Sequence, residues 1–456
     1  MNISFNRKSG VILRAVFEGE SNGFDFDGKE NNFLPIISSE EKTLLMGLGK
    51  KDKLTADKVK ILFFNAYKEL KKYKFDNVSV AKGDLLLCDD LVLAVYEGFL
   101  HSSYSFDKYK SEKEDFELKN LDFEYEGEKV NDRIEELTNV MKGVFLTRDL
   151  TNTAAMDLYP KTLVQEIKKE FDGLNIDVEV FGRKKIEQLG MKAYLSVSLG
   201  SDKEPQFIIM HYKGSDDEPI ALVGKGVTYD SGGYSIKPAE GMATMHCDMA
   251  GSATVVGALK ALALNGIKKN VYGVVAATEN LINGSAYKTG DIIGSLSGKT
   301  IEVANTDAEG RLTLADALFY TADTIKPKFM IDMATLTGAM VVSLGWQYTG
   351  AITNNQELMD KVIASSKKAG EYVWQMPSDD FYKKYNESKF ADIRNIGGRY
   401  AGGITAGMFL GEFVKDTKWV HLDIAGPAYL DNAMGYYGYG ATGVMVKTIY
   451  QLVKDE

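Results

Sequence analysis

Two stretches hold the side chains most able to do chemistry: VGKGVTYDSGGYSIKPAEGMATMHCDMAG at 223–251 and NTDAEGR at 305–311. The first carries Lys225, Asp230, Lys237 and Asp248, and the second Asp307, Glu309 and Arg311, all among glycines and beside apolar runs that read as buried strands. Buried carboxylates need positive charge, and neighbouring glycines let the backbone approach a ligand or adopt positive φ. A pair of divalent ions fits this inventory, since bridging carboxylates hold two metals roughly 3.5–4 Å apart. Oxygen-rich coordination suits Mg, Mn or Zn, and a set without histidine or thiolate is not a structural zinc finger. His101, His211, His246 and His421 show neither an HExxH motif nor paired spacing.

Other readings of the same residues stay open at this level. Asp307 and Glu309 stand two apart, which places them on one face of extended chain, in a loop feeding a helix from about 312. A helix N-terminus favours such carboxylates, so Asp307 could equally be a cap, as could Asp230 before its Ser-Gly-Gly turn and Asp248 before the next helix. Divalent ions and burial would strip a proton from a nearby lysine. One of Lys225 and Lys237 could then be a neutral ligand while the other polarises a substrate carbonyl; alternatively both are ion-pair partners of the aspartates. VGKG lacks the GxxxxGK[ST] pattern of a phosphate loop.

The elements that must position these groups read as α/β. QFIIMHY (206–212), PIALVGKG (219–226), NVYGVVAATEN (270–280) and KFMIDMATLTG (328–338) are short apolar strands separated by helices such as SATVVGALKALAL (252–264). This alternation predicts a mostly parallel sheet flanked by helices, with ligands outside the carboxyl ends of the strands. Lys225 at the close of one strand and Asp332 near the end of another fall there. Upstream, VILRAVF (11–17) and TLLMGLGK (43–50) read as strands, 57–73 as a helix, and 85–100 as a buried run merging into a second helix. Asp89 and Asp90 fit a helix start or a solvated turn. The charged tract 108–129 reads as solvated surface and a boundary, and 130–150 as a long helix joining two domains. The expected organisation is a smaller N-terminal α/β domain over 1–128, a linking helix over 129–150, and a larger C-terminal domain over 151–456.

Composition agrees with that plan. A chain of 456 residues exceeds what one core usually fills. A net charge of −10 disfavours a general binder of nucleic acid or anionic membrane. The N-terminus has no signal-peptide core, no apolar run is long enough to span a bilayer, and the two cysteines, Cys88 and Cys247, suit a reduced cytoplasmic protein. Cys247 reads as a small buried apolar group, and His246 as a surface or packed histidine, although it shares a face with Asp248 if its segment is extended. The glycine-rich NIGGRYAGGITAGMFL (395–410) reads as a tight loop and close helix packing, and His421 as a hydrogen-bonded core residue.

VGKGVTYDSGG…SIKP, DMAGSA, NTDAEGRL, ATLTGAM and NIGGRYAGGITAGMFL resemble the leucyl aminopeptidase family of two-metal exopeptidases, and DSGGYSIK is similar to its bacterial peptidase B branch. The resemblance spans roughly 145–450, with NTDAEGR its most specific signature; the N-terminal third resembles the family in architecture only. It implies an aminopeptidase that releases the first residue of short peptides bearing a free N-terminus. Asp230 and Glu309 would bridge two divalent ions, Zn or Mn with Mg or Co as alternatives; Lys225 and Asp248 would complete one site and Asp307 the other. Lys237 would stabilise the gem-diolate, and Arg311 would hold a bicarbonate as general base towards a metal-bridging water. Asn305, Thr335 and Leu336 would contact the substrate backbone, and Met245 and Gly338 would line the pocket for the first side chain. A cytoplasmic homohexamer, a dimer of trimers around an inner cavity, is implied as well. A two-metal phosphoesterase and a regulatory, nucleic-acid-binding member of the same fold are the rival expectations.

Overall fold

The structure, a computed structural model, describes residues 1–456 apart from 9, 40, 84, 86, 87, 128 and 129. The expected apolar run at 86–87 and the boundary at 128–129 therefore lie outside the described residues. The chain divides into two units, one of residues 1–141 with 433–438 and one of 142–432 with 439–456. The division falls inside a helix, Val130–Asn152, that covers the stretch expected to link the domains. No helix among the described residues is long and apolar enough to cross a membrane.

The first unit holds a six-stranded sheet in the order Asn2–Phe5, Asn120–Phe123, Asn77–Val80, Val11–Phe17, Lys42–Gly49, Phe33–Ile37. Only the last pairing is antiparallel. Helices Ala56–Lys72 and Asp89–Ser103 pack together, with the buried rings of Phe63 and Phe99 edge-on at 5.5 Å. Thr55 caps the first helix by accepting from the Lys58 amide. Asp89 and Asp90 open the second, accepting from Tyr125 Oη at 2.7 Å and Arg133 Nη2 at 2.6 Å. One expectation fails: within the charged tract 108–129, residues Asn120–Phe123 form a buried strand between two parallel neighbours. Four residues are too few for a period to emerge against flanking charge.

The second unit is built on an eight-stranded sheet, ordered Tyr372–Gln375, Tyr348–Thr353, Trp419–Asp423, Phe329–Ala334, Ile220–Asp230, Asn270–Asn280, Gln206–Lys213, Ile176–Phe181. The four central strands, from Trp419–Asp423 to Asn270–Asn280, run parallel, and antiparallel pairings flank them. Strand alternation sends consecutive residues to opposite faces. Gly224 abuts Ser252 of helix Ala250–Leu264, where a Cβ would lie 2.6 Å from the Ser252 Cα, whereas Lys225 turns to the face on which Gly310 opens helix Gly310–Tyr320. On that second face Ala221 and Val223 join Leu312 and Leu314 in one apolar core.

The strand carrying Lys225 continues to Asp230, so Lys225 lies within it rather than closing it. Asp332, expected near the functional edge, points into the interior instead. It accepts from Trp419 Nε1 and bonds His421 Nδ1, each at 2.7 Å, with all three side chains buried. His421 is thus the hydrogen-bonded core residue expected. Burial opposes its imidazolium, but Asp332 and then Asp423 outweigh that and raise its pKa above the ordinary value. A raised histidine contributes full stability below the unfolded pKa of about 6.5 and loses it as pH climbs through the folded value. Asp332→Ala, which strands both donors, should cost about 3–5 kcal/mol in urea unfolding followed by tryptophan fluorescence, and more at pH 6 than at pH 8.5. A loss below about 1 kcal/mol at both pH values would mean that this buried pair is not what holds the two strands.

Candidate metal centre

The four parallel strands deliver their carboxyl ends to one edge. Asp230 ends its strand in register with Asn280, the last residue of the neighbour, and Ala334 pairs with Asp423 in the same way on the other side. After Asp230 the chain must reverse at once, which Gly232 and Gly233 allow with φ of +84° and +61°. A Cβ on Gly232 would lie 2.8 Å from Asp307 Oδ1, so the NTDAEGR loop closes directly over this turn.

Around that edge the charges interlock. Lys225 Nζ lies 2.7 Å from Asp248 Oδ1, 2.9 Å from Glu309 Oε1 and 2.9 Å from the Thr335 carbonyl oxygen. Lys237 Nζ lies 2.9 Å from Asp230 Oδ2 and 2.6 Å from Asp307 Oδ1. Lys225, Asp230, Asp248 and Glu309 are buried, and Asp307 and Lys237 partly so. Burial raises the Asp230 carboxyl to about 7, with Glu309 adding to the shift, and it raises Asp248 and Asp307 too. Glu309 goes the other way: the two lysines outweigh its burial and lower it. Burial disfavours both ammonium groups, yet the surrounding carboxylates raise both. Among these side chains alone both lysines are held charged; the neutral amine expected of one of them requires divalent ions beside it.

Capping does not account for the carboxylates. Helix Gly310–Tyr320 has Glu309 at its N-cap and helix Ala250–Leu264 has Met249, and neither end has a side-chain cap bond. Asp230 accepts from the Gly232 amide and from Asn280 Nδ2, both at 2.8 Å. Four carboxylates face two lysines, leaving negative charge over. Among the described residues Asp248 Oδ2 and Glu309 Oε2 are buried without a hydrogen-bond donor, Glu309 Oε1 meets only the Lys225 ammonium, and Asp230, Asp307 and Glu309 each bring an oxygen within 4.8 Å of the others. Orphaned, converging hard oxygens are what a divalent cation requires, so the donor set fits metal.

The residues to which the resemblance gave metal, catalytic or substrate roles all line one cavity of about 420 Å³ in the second unit. Thr335 donates from Oγ1 to Asp248 Oδ1 at 2.8 Å, and the Leu336 amide donates to Asp423 Oδ1 at 3.1 Å. Asn305 accepts from the Asp307 amide at 2.7 Å, which shapes the loop. Met245 packs beside Cys247, Tyr429 and Ala441, and Gly338 opens the helix Gly338–Leu344 on the wall. Arg311 is buried; its Nη1 donates to the Asn395 carbonyl at 2.7 Å while Nε has no hydrogen-bond partner among the described residues. Burial pushes its pKa down to about 10 against the pull of Glu309 and Asp423. Met245–Cys247 is a single 3-10 turn rather than extended chain, and His246 is the packed histidine expected, its imidazole edge-on to Tyr429 at 5.5 Å.

Three positioning residues escape a reading of the sequence. Asn280 holds Asp230 and also donates to the Thr306 carbonyl at 3.0 Å. Asn395 accepts from the Ala304 amide at 2.8 Å and donates to the Asn305 carbonyl at 2.7 Å, clamping the NTDAEGR loop. Asp423 accepts from the Leu336 amide, from Thr337 Oγ1 at 2.7 Å and from the Ala425 amide at 3.1 Å, fixing the wall that follows Ala334. The available signal was their place at or just past the end of an apolar run.

Residues 145–450 match the profile described as the cytosol aminopeptidase family, catalytic domain, and residues 21–113 match that family's N-terminal domain. The chain belongs to the cytosol aminopeptidase family. It is 51% identical over 427 residues to a "Probable cytosol aminopeptidase" of Clostridium tetani, covering 92% of this chain and 89% of that one. A protein of the same name from Treponema denticola is 44% identical over the full length of both chains. Among solved structures, a tomato leucine aminopeptidase mutant superposes with a TM-score of 0.90 at 31% identity, covering 100% of this chain and 97% of that one. The bottromycin maturation enzyme BotP, solved in complex with Mn, gives 0.90 at 29% identity over 98% and 99% of the two chains. Family membership makes the chain a metal-dependent aminopeptidase, as its resemblance implied. Asn280→Ala, which removes one of the two donors that orient Asp230 Oδ1, should weaken metal affinity about 10–100-fold in competition against a chelating dye. A change under twofold would show that Asp230 is held by other contacts.

Proposed function

We propose that this cytosol aminopeptidase is a cytoplasmic homohexamer that removes the N-terminal residue from short peptides by two-metal chemistry. The observation that carries the reading is the set of buried, unsatisfied carboxylate oxygens of Asp248 and Glu309, gathered with Asp230 and Asp307 in one cavity. Asp230 and Glu309 would hold both ions between them, Lys225 and Asp248 would complete one site, and Asp307 the other. Zn or Mn suits the donors, with Mg or Co as alternatives. When bound, two such cations supply Lewis acidity that activates water near neutral pH and anchors the substrate's free amine.

The chain's own groups do the rest. Lys237, partly exposed at the cavity wall, donates to the scissile carbonyl oxygen and more strongly to the oxyanion that develops there. Arg311 keeps an unused buried donor, Nε, suited to a small anion, so it would hold the bicarbonate that serves as general base. Asn305, Thr335 and Leu336 orient the peptide backbone, and Met245 and Gly338 bound the space for the first side chain. In domain terms we assign 1–128 to an N-terminal α/β domain, 129–150 to a linking helix and 151–456 to the catalytic domain.

Release of free amino acid from a dipeptide panel should vanish on chelation and return with Zn or Mn. Lys237→Ala should lower turnover roughly a hundredfold or more while metal content stays unchanged. Undiminished turnover in that variant would remove Lys237 from the chemistry.

A further inference from the structure

The cavity wall carries one cation that the reaction outlined above does not use. Lys225 and Lys237 are each locked between two carboxylates, and Arg311 is buried with Nη1 on the Asn395 carbonyl. Arg399 is different: it is exposed, lines the same cavity, and makes no ion pair or hydrogen bond among the described residues. It does not pair even with Asp431, the exposed acid of the same cavity, so its guanidinium is unneutralised at the rim of a strongly anionic site.

Its placement is built in. The short strand Ile393–Arg394 pairs in parallel with Thr300–Glu302, so the two chains leave side by side, one into NTDAEGR and the other into residues 395–402. Asn395 ties them, bonding Ala304 and Asn305 through its side chain and receiving Arg311 on its carbonyl. Four residues further on, Arg399 lies within about 14 Å of Asn395 even along fully extended chain. The segment then turns sharply, with φ of +96° at Gly398 and +55° at Ala401, and packs against the opposite wall, where a Cβ on Gly402 would lie 3.0 Å from the Ala339 Cβ. Arg399 is thus carried on a pinned turn of the wall.

We infer that Arg399 is a specificity-determining residue that binds a carboxylate on the leaving portion of the substrate. This rests on the peptidase reading above and deepens it. With the amine drawn towards the carboxylate-lined floor, the leaving portion of the peptide points to the rim, where a carboxylate meets a fork-shaped guanidinium and displaces water but no protein partner. In the shortest substrates the C-terminal carboxylate lies one residue beyond the scissile bond, within reach of the cavity of about 420 Å³ that Arg399 lines. An acidic side chain at the second position could present the same chemistry.

The test compares the metal-loaded enzyme on Leu-Gly and its C-terminal amide, and on Leu-Asp-amide and Leu-Asn-amide. Expected is a three- to fivefold higher kcat/KM for Leu-Gly than for its amide, the size of a partly exposed ion pair, shrinking as salt rises. Arg399→Gln should erase that ratio while leaving the rate on Leu-Gly-amide unchanged, and Arg399→Lys should restore part of it. A preference confined to the Leu-Asp-amide and Leu-Asn-amide pair, lost in Arg399→Gln, would place the acidic side chain at this site. Ratios that are the same in wild type and Arg399→Gln, with peptides still cleaved, would make Arg399 a solvated surface residue and overturn the inference alone. No hydrolysis of any peptide by the wild-type metal-loaded enzyme would take down both this inference and the peptidase reading.

Discussion

Four carboxylates brought together at the end of a buried sheet edge repel one another and lose the water that would stabilise them, so no arrangement of them is tolerable without positive charge between. Lys225 and Lys237 supply part of that charge, each bridging two acids, and the oxygens they leave unmatched define where further cations belong. The local architecture answers to this demand. Helix termini contribute little, because neither adjoining helix uses an acid side chain as its cap. Positive charge and directed hydrogen bonds do the stabilising.

Holding such a cluster in place requires partners that are rigid and neutral. Asn280 and Asn395 serve that purpose: an amide can donate and accept at once without adding charge. Asn280 spans Asp230 and Thr306, and Asn395 spans the two segments that leave the small sheet together. Asp423 shows the complementary solution, a buried acid neutralised by backbone amides and a hydroxyl rather than by a lysine. Asp332, in the neighbouring strand, is different again, because its donors are the indole and imidazole of the strand beside it. Residues of one type in one sheet thus have structural or chemical roles according to which donors their strand position offers.

The glycines of the two chemical stretches make the crowding possible. A side chain at Gly310 would come within 2.4 Å of the Lys225 Cε, and one at Gly232 would collide with Asp307 and the Ser235 carbonyl. Backbone, ammonium and carboxylate can approach this closely only where no Cβ intervenes. The same economy brings the NTDAEGR loop over the Ser-Gly-Gly turn and leaves room beside it for a cavity of about 420 Å³.

Much of this was readable in the chain itself. Long apolar runs such as 270–280 have no reading but a buried strand, and the charged residues set among glycines in 223–251 and 305–311 carry the family's wording as well as its chemistry. The strand at Asn120–Phe123 was hidden by its length and its charged flanks, and Asp332 was misplaced because a strand residue's distance from the functional edge depends on where its neighbours end. Asn280, Asn395 and Asp423 left no periodic trace, since a polar residue closing a strand looks alike whether it meets water or a ligand shell. Sequence determined which groups are present and which elements carry them, because residue type and apolar spacing act locally. Only the tertiary structure decided which acids converge, which lysine stands between which pair, and that Arg399 is unpaired among the described residues, because those depend on register between strands far apart in the chain.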